Sequence, residues 1–228
     1  MAIGYDKIVR GIFRSRPNRF IAYVEIDGIL EKCHVKNTGR CKELLIDGVE
    51  VFLAVSDNPN RSTKYDLVTV RKGNRLINID SQIPNDTVAH YLKKIPLFSS
   101  VTYIKREYKY GNSRIDIYAE DSENKYLIEV KGVTLEIDDK VMFPDAPTER
   151  GRKHILELIE SLKDGYIPCI VFLIPMNDVE SFSPNDTTDP EFSDALRLAK
   201  KSGVNIFAYD STVTEDSIEM GGPVPVIL

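Results

Sequence analysis

The stretch that most constrains the fold is SRIDIYAEDSENKYLIEVKG, residues 113–132. Two runs that alternate apolar and polar side chains, the pattern of half-buried strands, flank the polar loop DSEN. If that loop joins the strands antiparallel, Glu120 pairs with Lys125, and the same register sets Asp116 opposite Glu129. A slip of one residue would move the two carboxylates to opposite faces, because side chains alternate along a strand. The hairpin therefore predicts two carboxylates side by side on one sheet.

The opposite face of this hairpin is predicted to be apolar. The same alternation turns Ile115, Ile117, Ile128 and Val130 together, away from the two carboxylates. One register thus satisfies both faces, which is why we expect it rather than a slipped one.

Two carboxylates at this spacing need a reason to be there. At ~5 Å and an effective dielectric constant of ~20 they repel by about 3 kcal/mol. A divalent cation bound between them makes the net electrostatic energy of the site favourable. Mg²⁺, or Mn²⁺ in its place, takes oxygen ligands, so Asp116 and Glu129 are the predicted metal ligands, with the carbonyl of Val130 and the carboxylate of Glu107 as further candidates. Lys131 shares the face of Glu129 and is predicted to orient an attacking water or to stabilise developing charge.

A simpler alternative remains open for this pair. Lys131 could merely neutralise Glu129 at a water-facing sheet edge, and a lone Glu-x-Lys does not separate the two readings.

The rest of the chain predicts two parts. Up to about residue 80, short runs rich in Val, Ile, Phe and Tyr alternate with turn residues, and Asp27-Gly28 is typical of a tight hairpin. Residues 1–82 are therefore expected to form a small closed barrel, in which residues 39–46 make a short helix.

From residue 83 onwards the pattern changes. Helical spacing is found at 84–95, with Asn85 or Asp86 as its cap, and at 146–165 and 189–203. Strands are expected between and after these helices, at residues 101–110, 113–119, 125–131, 167–174 and 204–210. The fold class is thus α/β with a β-barrel domain, and residues 83–228 follow the order α-β-β-β-α-β with a mixed central sheet.

Asp116 followed by Glu129-x-Lys131 on the next strand, within this order of elements, resembles the PD-(D/E)xK nuclease superfamily. Longer strings resemble the sugar fermentation stimulation protein A family along nearly the whole chain; they are FRSRPNRF, NTGR, GNSRIDIY, EVKGVTL, FPDAPTERGRKHILEL and DPEF. The resemblance implies an OB-fold-like amino-terminal barrel, a nuclease-like carboxy-terminal domain, DNA as partner and a link to the regulation of sugar use. Whether the site cuts DNA, or only helps to bind it, stays open.

The resemblance also assigns roles to two residues of the helix at 146–165. Arg150 and His154 are four residues apart and share a face, so Arg150 is expected to hold a phosphate and His154 to assist proton transfer. The alternative is a capped, solvated first turn.

A basic segment of the barrel is the predicted DNA contact. The first 80 residues hold 14 Lys and Arg against 10 Asp and Glu, whereas the net charge of the whole chain is −5. The residues expected to grip phosphates are Arg14, Arg16, Arg19, Lys36 and Arg40. Phe13 and Phe20 flank the arginines, and they either stack on bases or belong to the barrel core.

Several classes of function are disfavoured by the sequence. The longest apolar run, 167–176, is about half of what a membrane-spanning helix needs. Three cysteines do not make a disulfide framework, and Cys33, His34 and Cys41 lack a fourth zinc ligand. We expect a cytoplasmic protein without a small-molecule cofactor, and a homo-oligomer is compatible with the sequence.

Overall fold

The computed structural model describes residues 2–37 and 39–228, and strands of its amino-terminal part close into a barrel. The first seven strands in chain order are β1 (Ile3–Gly4), β2 (Ile8–Asn18), β3 (Ile21–Ile26), β4 (Ile29–Val35), β5 (Glu50–Val55), β6 (Tyr65–Lys72) and β7 (Arg75–Asn78). The sheet order β4-β3-β2-β5-β6-β7, with an additional pairing of β4 to β6, closes five strands on themselves. The predicted barrel is therefore confirmed, and it removes sheet edges that would otherwise be open.

Turn residues of the barrel behave as predicted in one place and differently in another. Asp27 and Gly28 have φ values of 51° and 78°, which a two-residue hairpin between β3 and β4 requires. The short helix predicted at 39–46 is wrong, since only a turn forms there and Cys41 takes a left-handed φ of 45°. Within the NTGR string, Thr38 lies outside the described residues.

The carboxy-terminal part has a mixed sheet of its own. Its elements are α1 (Ile83–Tyr91), β8 (Tyr103–Tyr110), β9 (Ser113–Glu120), β10 (Lys125–Gly132), β11 (Leu135–Ile137), β12 (Lys140–Phe143), α2 (Glu149–Ser161), β13 (Ile167–Leu173), β14 (Ser181–Pro184), α3 (Pro190–Ser202), β15 (Asn205–Val213) and β16 (Ser217–Pro223). The strand order is β1-β16-β15-β13-β10-β9-β8, and β11, β12 and β14 form a small separate sheet. The predicted order of helices and strands is confirmed, with the short strands added.

The helix ends follow their capping residues. Thr148 accepts a hydrogen bond from the amide of Gly151 (3.0 Å) at the start of α2, and Asp189 accepts one from Phe192 (2.9 Å) at the start of α3. The predicted cap of α1 is wrong. That helix begins after Gln82, without a side-chain cap, so Asn85 and Asp86 already lie within its first turn.

Both faces of the large sheet are covered. α1 packs over Ile117, Ile128 and Val130, whereas α2 and α3 pack on the other face in the cluster that also contains barrel residues. Strand β1 leaves the barrel side and pairs Ile3 with Ile218 of β16, so the first residues of the chain belong to the second sheet. In the described part of the chain, every helix is too short or too polar to cross a lipid bilayer.

Candidate active site

The hairpin of β9 and β10 takes the predicted register. Lys125 pairs with Glu120, and the ladder continues to Ile128 opposite Ile117. Beyond that point the amide of Val130 donates to Oδ2 of Asp116 (2.8 Å) instead of continuing the ladder. The Asp116 carboxylate therefore lies against the backbone of β10 next to Glu129, while the regular ladder ends before the predicted pairing of Asp116 with Glu129.

The end of the ladder has one consequence that the alternation did not predict. Ile115 was expected on the face of Ile117, but it belongs to the cluster on the α2 side of the sheet. The prediction for Ile115 is wrong because regular pairing with β10 stops after Ile117, and strict alternation holds only along a regular ladder.

Glu129 is a buried carboxylate in which one oxygen accepts hydrogen bonds and the other has no partner among the described residues. Its side chain is 2% exposed, and Oε1 accepts from Lys131 Nζ (2.5 Å) and from His154 Nδ1. Burial acts to raise the pKa of Glu129, but the His154 hydrogen bond and the Lys131 charge outweigh it, and the net pKa is below its usual range. Oε2 is buried and has no hydrogen-bond partner among the described residues, so an ionised carboxylate presents an unpaired oxygen.

Asp116 has the opposite pKa shift. Burial, and after it the charge of Glu129, raise the pKa of Asp116 above its usual range, against the lowering effect of Lys131. Its Oδ1 accepts from Asn85 Nδ2 (2.8 Å), so α1 holds the carboxylate in place from the other side. The two carboxylates repel each other in a site where solvent screens little.

Helix α2 brings His154 to this pair. His154 is buried, and Arg150, one turn earlier, places its Nε 3.5 Å from Nε2 of the imidazole. A guanidinium can only donate, so Nε2 accepts, and the proton on Nδ1 is donated to Glu129. Gly151 lets the helix start pack closely, since a Cβ there would lie 2.9 Å from the Thr148 side chain and 3.2 Å from Phe192. The structure thus joins Glu129, Lys131, His154 and Arg150 in one chain of contacts.

Two predicted metal ligands remain to be placed. Val130 is buried directly after Glu129, and the role of its carbonyl stays a prediction. Glu107 lies on β8 with its side chain 56% exposed, and its carboxylate is 3.6 Å from Arg114. The structure does not bring Glu107 into contact with Asp116 or Glu129, and among the described residues no three His, Cys, Asp or Glu side chains form a ready-made metal cage.

Three of the five barrel cations are engaged in the fold itself. Arg16 donates to the carbonyls of Arg19 (2.8 Å), Asn37 (2.6 Å) and Arg40 (2.9 Å), which braces the loop after β4. Arg14 forms ion pairs with Glu25 (2.9 Å) and, at a longer distance, with Asp47 (3.3 Å). The guanidinium of Arg16 therefore has a structural role, and its predicted DNA contact is not supported by its geometry.

The third of these cations, Lys36, lies between two aspartates. Its Nζ is 3.4 Å from Asp80 and 3.7 Å from Asp66. Both aspartates are buried, so Lys36 balances their charge and has little freedom to reach a phosphate.

The remaining cations line a cleft of about 940 Å³ between the barrel and the carboxy-terminal part. Arg19, Arg40 and Lys42 are exposed there, and within the described part of the chain their side chains form no ion pair with an acidic side chain. Phe13 is 2% exposed and belongs to the barrel core, whereas Phe20 is 51% exposed next to Arg19. Of the two aromatics, only Phe20 is therefore accessible for stacking on a base. The other wall includes Pro84, Gly132 and Thr148, which adjoin Asn85, Lys131 and helix α2.

Sequence reasoning missed two residues of this arrangement. Asn85 was predicted as a helix cap, yet it holds Asp116. Lys42 was assigned to a helix, yet it lines the cleft. The charge pattern around Arg40 carried a signal for Lys42, but nothing in the sequence placed the start of α1 beside β9.

Comparison with known proteins covers both parts. Residues 82–217 match the family model described as "Sugar fermentation stimulation protein RE domain", and residues 15–79 match "SfsA N-terminal OB domain". The homologue of the sugar fermentation stimulation protein from Ruminiclostridium cellulolyticum is 58% identical over 98% of this chain and 99% of its own length. The Clostridium beijerinckii homologue is 55% identical, with the same coverage of both chains. Among solved structures, Pyrococcus furiosus SfsA in complex with Ca²⁺ superposes with a TM-score of 0.91 at 29% identity over the full length of both chains.

Proposed function

Because the chain belongs to the sugar fermentation stimulation protein family, we propose that it binds DNA in the cleft beside the barrel and hydrolyses phosphodiester bonds with a divalent cation. One observation carries the proposal. A buried, ionised Glu129 presents an oxygen without a partner, next to a second carboxylate whose pKa is raised by burial and by that same charge. An uncompensated pair of this kind is costly in a protein interior, and a cation turns it into a favourable arrangement.

The residues present fit such a cation. Asp116, Glu129 and the carbonyl of Val130 offer oxygen ligands, which Mg²⁺ and Mn²⁺ accept, and Mg²⁺ commonly takes one or two carboxylates and keeps several waters. This explains why a cage of three or more acidic or imidazole side chains is not required. The Ca²⁺ complex of the Pyrococcus furiosus relative supports a site for a hard, oxygen-seeking cation in this fold.

Each residue around the carboxylate pair then has a proposed role. When bound, the cation would supply Lewis acidity and lower the pKa of a water. His154 donates to Glu129 and fixes the orientation of its carboxylate, as Asn85 does for Asp116. Lys131, 17% exposed, reaches the same place from the solvent side and is positioned to stabilise charge on a phosphate.

DNA is held, in this proposal, by the cations of the cleft. Across the residues that the structure describes, the side chains of Arg19, Arg40 and Lys42 form no ion pair, so they can contact phosphates without breaking one. Phe20, half exposed beside Arg19, is available to stack on a base.

The test is incubation of end-labelled single-stranded and duplex DNA with the protein in Mg²⁺, Mn²⁺ or EDTA. We expect cleavage that needs the cation, that is lost in Asp116→Ala and Glu129→Ala, and that is retained in Glu123→Gln, an exposed acidic residue in the loop of the same hairpin. Cleavage that persists in both alanine variants would come from a contaminant and would remove the assignment.

A second function is favoured by a different observation. Oε1 of Glu129 is already balanced by Lys131 and His154, so the site can persist without a cation. In that case the protein would be a non-catalytic DNA-binding regulator of sugar fermentation genes; its relatives are named homologues of the sugar fermentation stimulation protein. Salt-dependent DNA binding with no cleavage under any divalent cation would select this function.

A further inference from the structure

A second cavity, of about 550 Å³, adjoins the start of α2. The turn between β8 and β9 forms one wall, and the first two turns of α2 form the other. Every side chain that lines it is polar or charged, among them Arg114, Arg150, Lys153 and His154. The cationic ends of these side chains make the cavity a candidate site for an anion.

The charges of the cavity favour a phosphate. Three cations face it against a single carboxylate, Glu149. Arg150 contacts the imidazole through Nε, and no partner for its two terminal nitrogens is found within residues 2–37 and 39–228, so they can donate to a ligand. Arg114 and Lys153 contact carboxylates only at 3.6 Å, with side chains 70% and 58% exposed. Exposed pairs of this length contribute little, so both cations can turn to a ligand at small cost.

The position of the cavity connects it to the carboxylates. His154 lines it and at the same time donates to Glu129, so one imidazole ring separates the cavity from the candidate metal site. Arg114 stands two residues before Asp116 on β9, at the same end of the hairpin. If one phosphate of a DNA strand lies at the carboxylates, a neighbouring phosphate of the same strand would lie in this cavity.

We propose that Arg114, Arg150 and Lys153 form a subsite for one backbone phosphate of the DNA strand, adjoining the carboxylate site. The proposal rests on the proposed binding of DNA, and it adds the place that fixes the strand relative to Asp116 and Glu129. An arginine fork and a mobile lysine together can replace most of the water around a phosphate.

The experiment removes the charge of one backbone phosphate at a time and measures the affinity of the protein for each oligonucleotide. A set of short oligonucleotides, each with one phosphate replaced by an uncharged methylphosphonate, is bound to the protein in EDTA, so that the reading needs no cleavage. We expect one position to lose about tenfold in affinity, because a charge-assisted hydrogen bond is lost there. In the double variant Arg114→Gln, Lys153→Gln that position should lose less than about twofold, while the other positions keep their effects.

A matched control carries the same change of charge elsewhere. Lys200→Gln, Lys201→Gln removes two exposed charges at the end of α3. We expect it to leave the positional profile unchanged. Each single variant of Arg114 and Lys153 is measured as well, so the reading does not depend on one doubly substituted protein.

The outcomes separate this proposal from the proposed function. A flat positional profile, or one that the double variant shifts no more than the control does, overturns the subsite even if DNA is cut in Mg²⁺. A position-specific coupling in EDTA supports the subsite, and if the same protein cuts no DNA in Mg²⁺ or Mn²⁺, hydrolysis is what fails.

Discussion

Replacing Asp116 by Asn should make the metal-free protein more stable, which few changes at a buried aspartate do. The raised pKa of Asp116 means that its ionised form is disfavoured in the fold, through burial and through the charge of Glu129. Asn removes that charge and keeps the shape. It can still accept from the Val130 amide, while the Asn85 amide rotates to accept where it now donates.

The magnitude follows from the geometry. Neighbours across two strands lie ~5 Å apart, where two charges at an effective dielectric constant of ~20 repel by about 3 kcal/mol. Lys131, 2.5 Å from Glu129, and the two donors to Asp116 offset part of this. We expect Asp116→Asn to gain about 1 kcal/mol, which raises Tm by about 2–4 °C in a chain of this size.

Adding Mg²⁺ should reverse the order of the two proteins. Cation binding at 100 times Kd stabilises a folded protein by about 2.7 kcal/mol, and the variant lacks one of the two charges that bind it. Thermal unfolding followed by circular dichroism, in EDTA and in excess Mg²⁺, measures both effects. The advantage of the variant in EDTA should also shrink as pH falls through the raised pKa of Asp116, because the wild-type carboxyl then becomes neutral.

Asp66→Asn is the matched control, with the same chemistry and the opposite expected sign. Asp66 accepts from Arg61 Nη1 (2.8 Å) and pairs with His34 (2.9 Å); burial acts to raise its pKa, but these partners hold it below the usual range. Losing that charge from a buried network should cost about 3 kcal/mol, with no dependence on Mg²⁺. The reasoning about the carboxylate pair is wrong if Asp116→Asn destabilises the protein in EDTA, or if Mg²⁺ stabilises the variant as much as the wild type.

Four further changes test other parts of the structure. His154→Ala should cost about 2 kcal/mol in urea unfolding, since it removes a buried donor to ionised Glu129, and it should lower cleavage as well. Glu136→Gln should cost about 2 kcal/mol at pH 7, measured by urea unfolding across pH. Burial acts to raise the pKa of Glu136, but lysine, arginine and amide donors hold it low, so the loss should begin to shrink as pH falls below about 4 and should vanish only once pH is below the lowered pKa of Glu136. Arg16→Gln should cost about 2 kcal/mol of stability because three carbonyls lose their donor, whereas Arg19→Gln should leave Tm unchanged and reduce the salt slope of DNA binding by about one.

The hairpin was predictable because two independent constraints agree on its register. The apolar face and the short polar loop both require Glu120 opposite Lys125, and a one-residue slip violates both. Helix α3 was predictable for a similar reason, since Asp189, Pro190 and Gly203 mark its ends chemically. Where one local signal stood alone, as for the helix expected at 39–46, it was overridden by the barrel.

The short strands β11, β12, β14 and β16 could not be predicted in the same way. Each is three to seven residues long, and three of them depend on a partner distant in sequence, since β12 pairs in parallel with β14 and β16 pairs with β1. Strand β11 pairs with the adjacent β12 and is only three residues long. Strand pairing at long range is set by tertiary packing rather than by local propensity. The position of Asn85 beside Asp116 has the same origin, since it requires α1 to lie over β9.

The basic segment of the barrel shows why residue type alone misplaces a binding surface. All five predicted cations belong to strands and loops of the barrel, yet Arg14, Arg16 and Lys36 already have partners within the fold. Arg16 in particular holds the loop that carries Arg40, whose backbone amide in turn donates to Asp145 of the carboxy-terminal part (2.9 Å). If the chain binds DNA as proposed, Arg16 would therefore act indirectly, by fixing the loop on which Arg40 is presented. A stability measurement beside the binding measurement distinguishes the two kinds of arginine, since only a variant that keeps its Tm while losing affinity reports a direct contact with a phosphate.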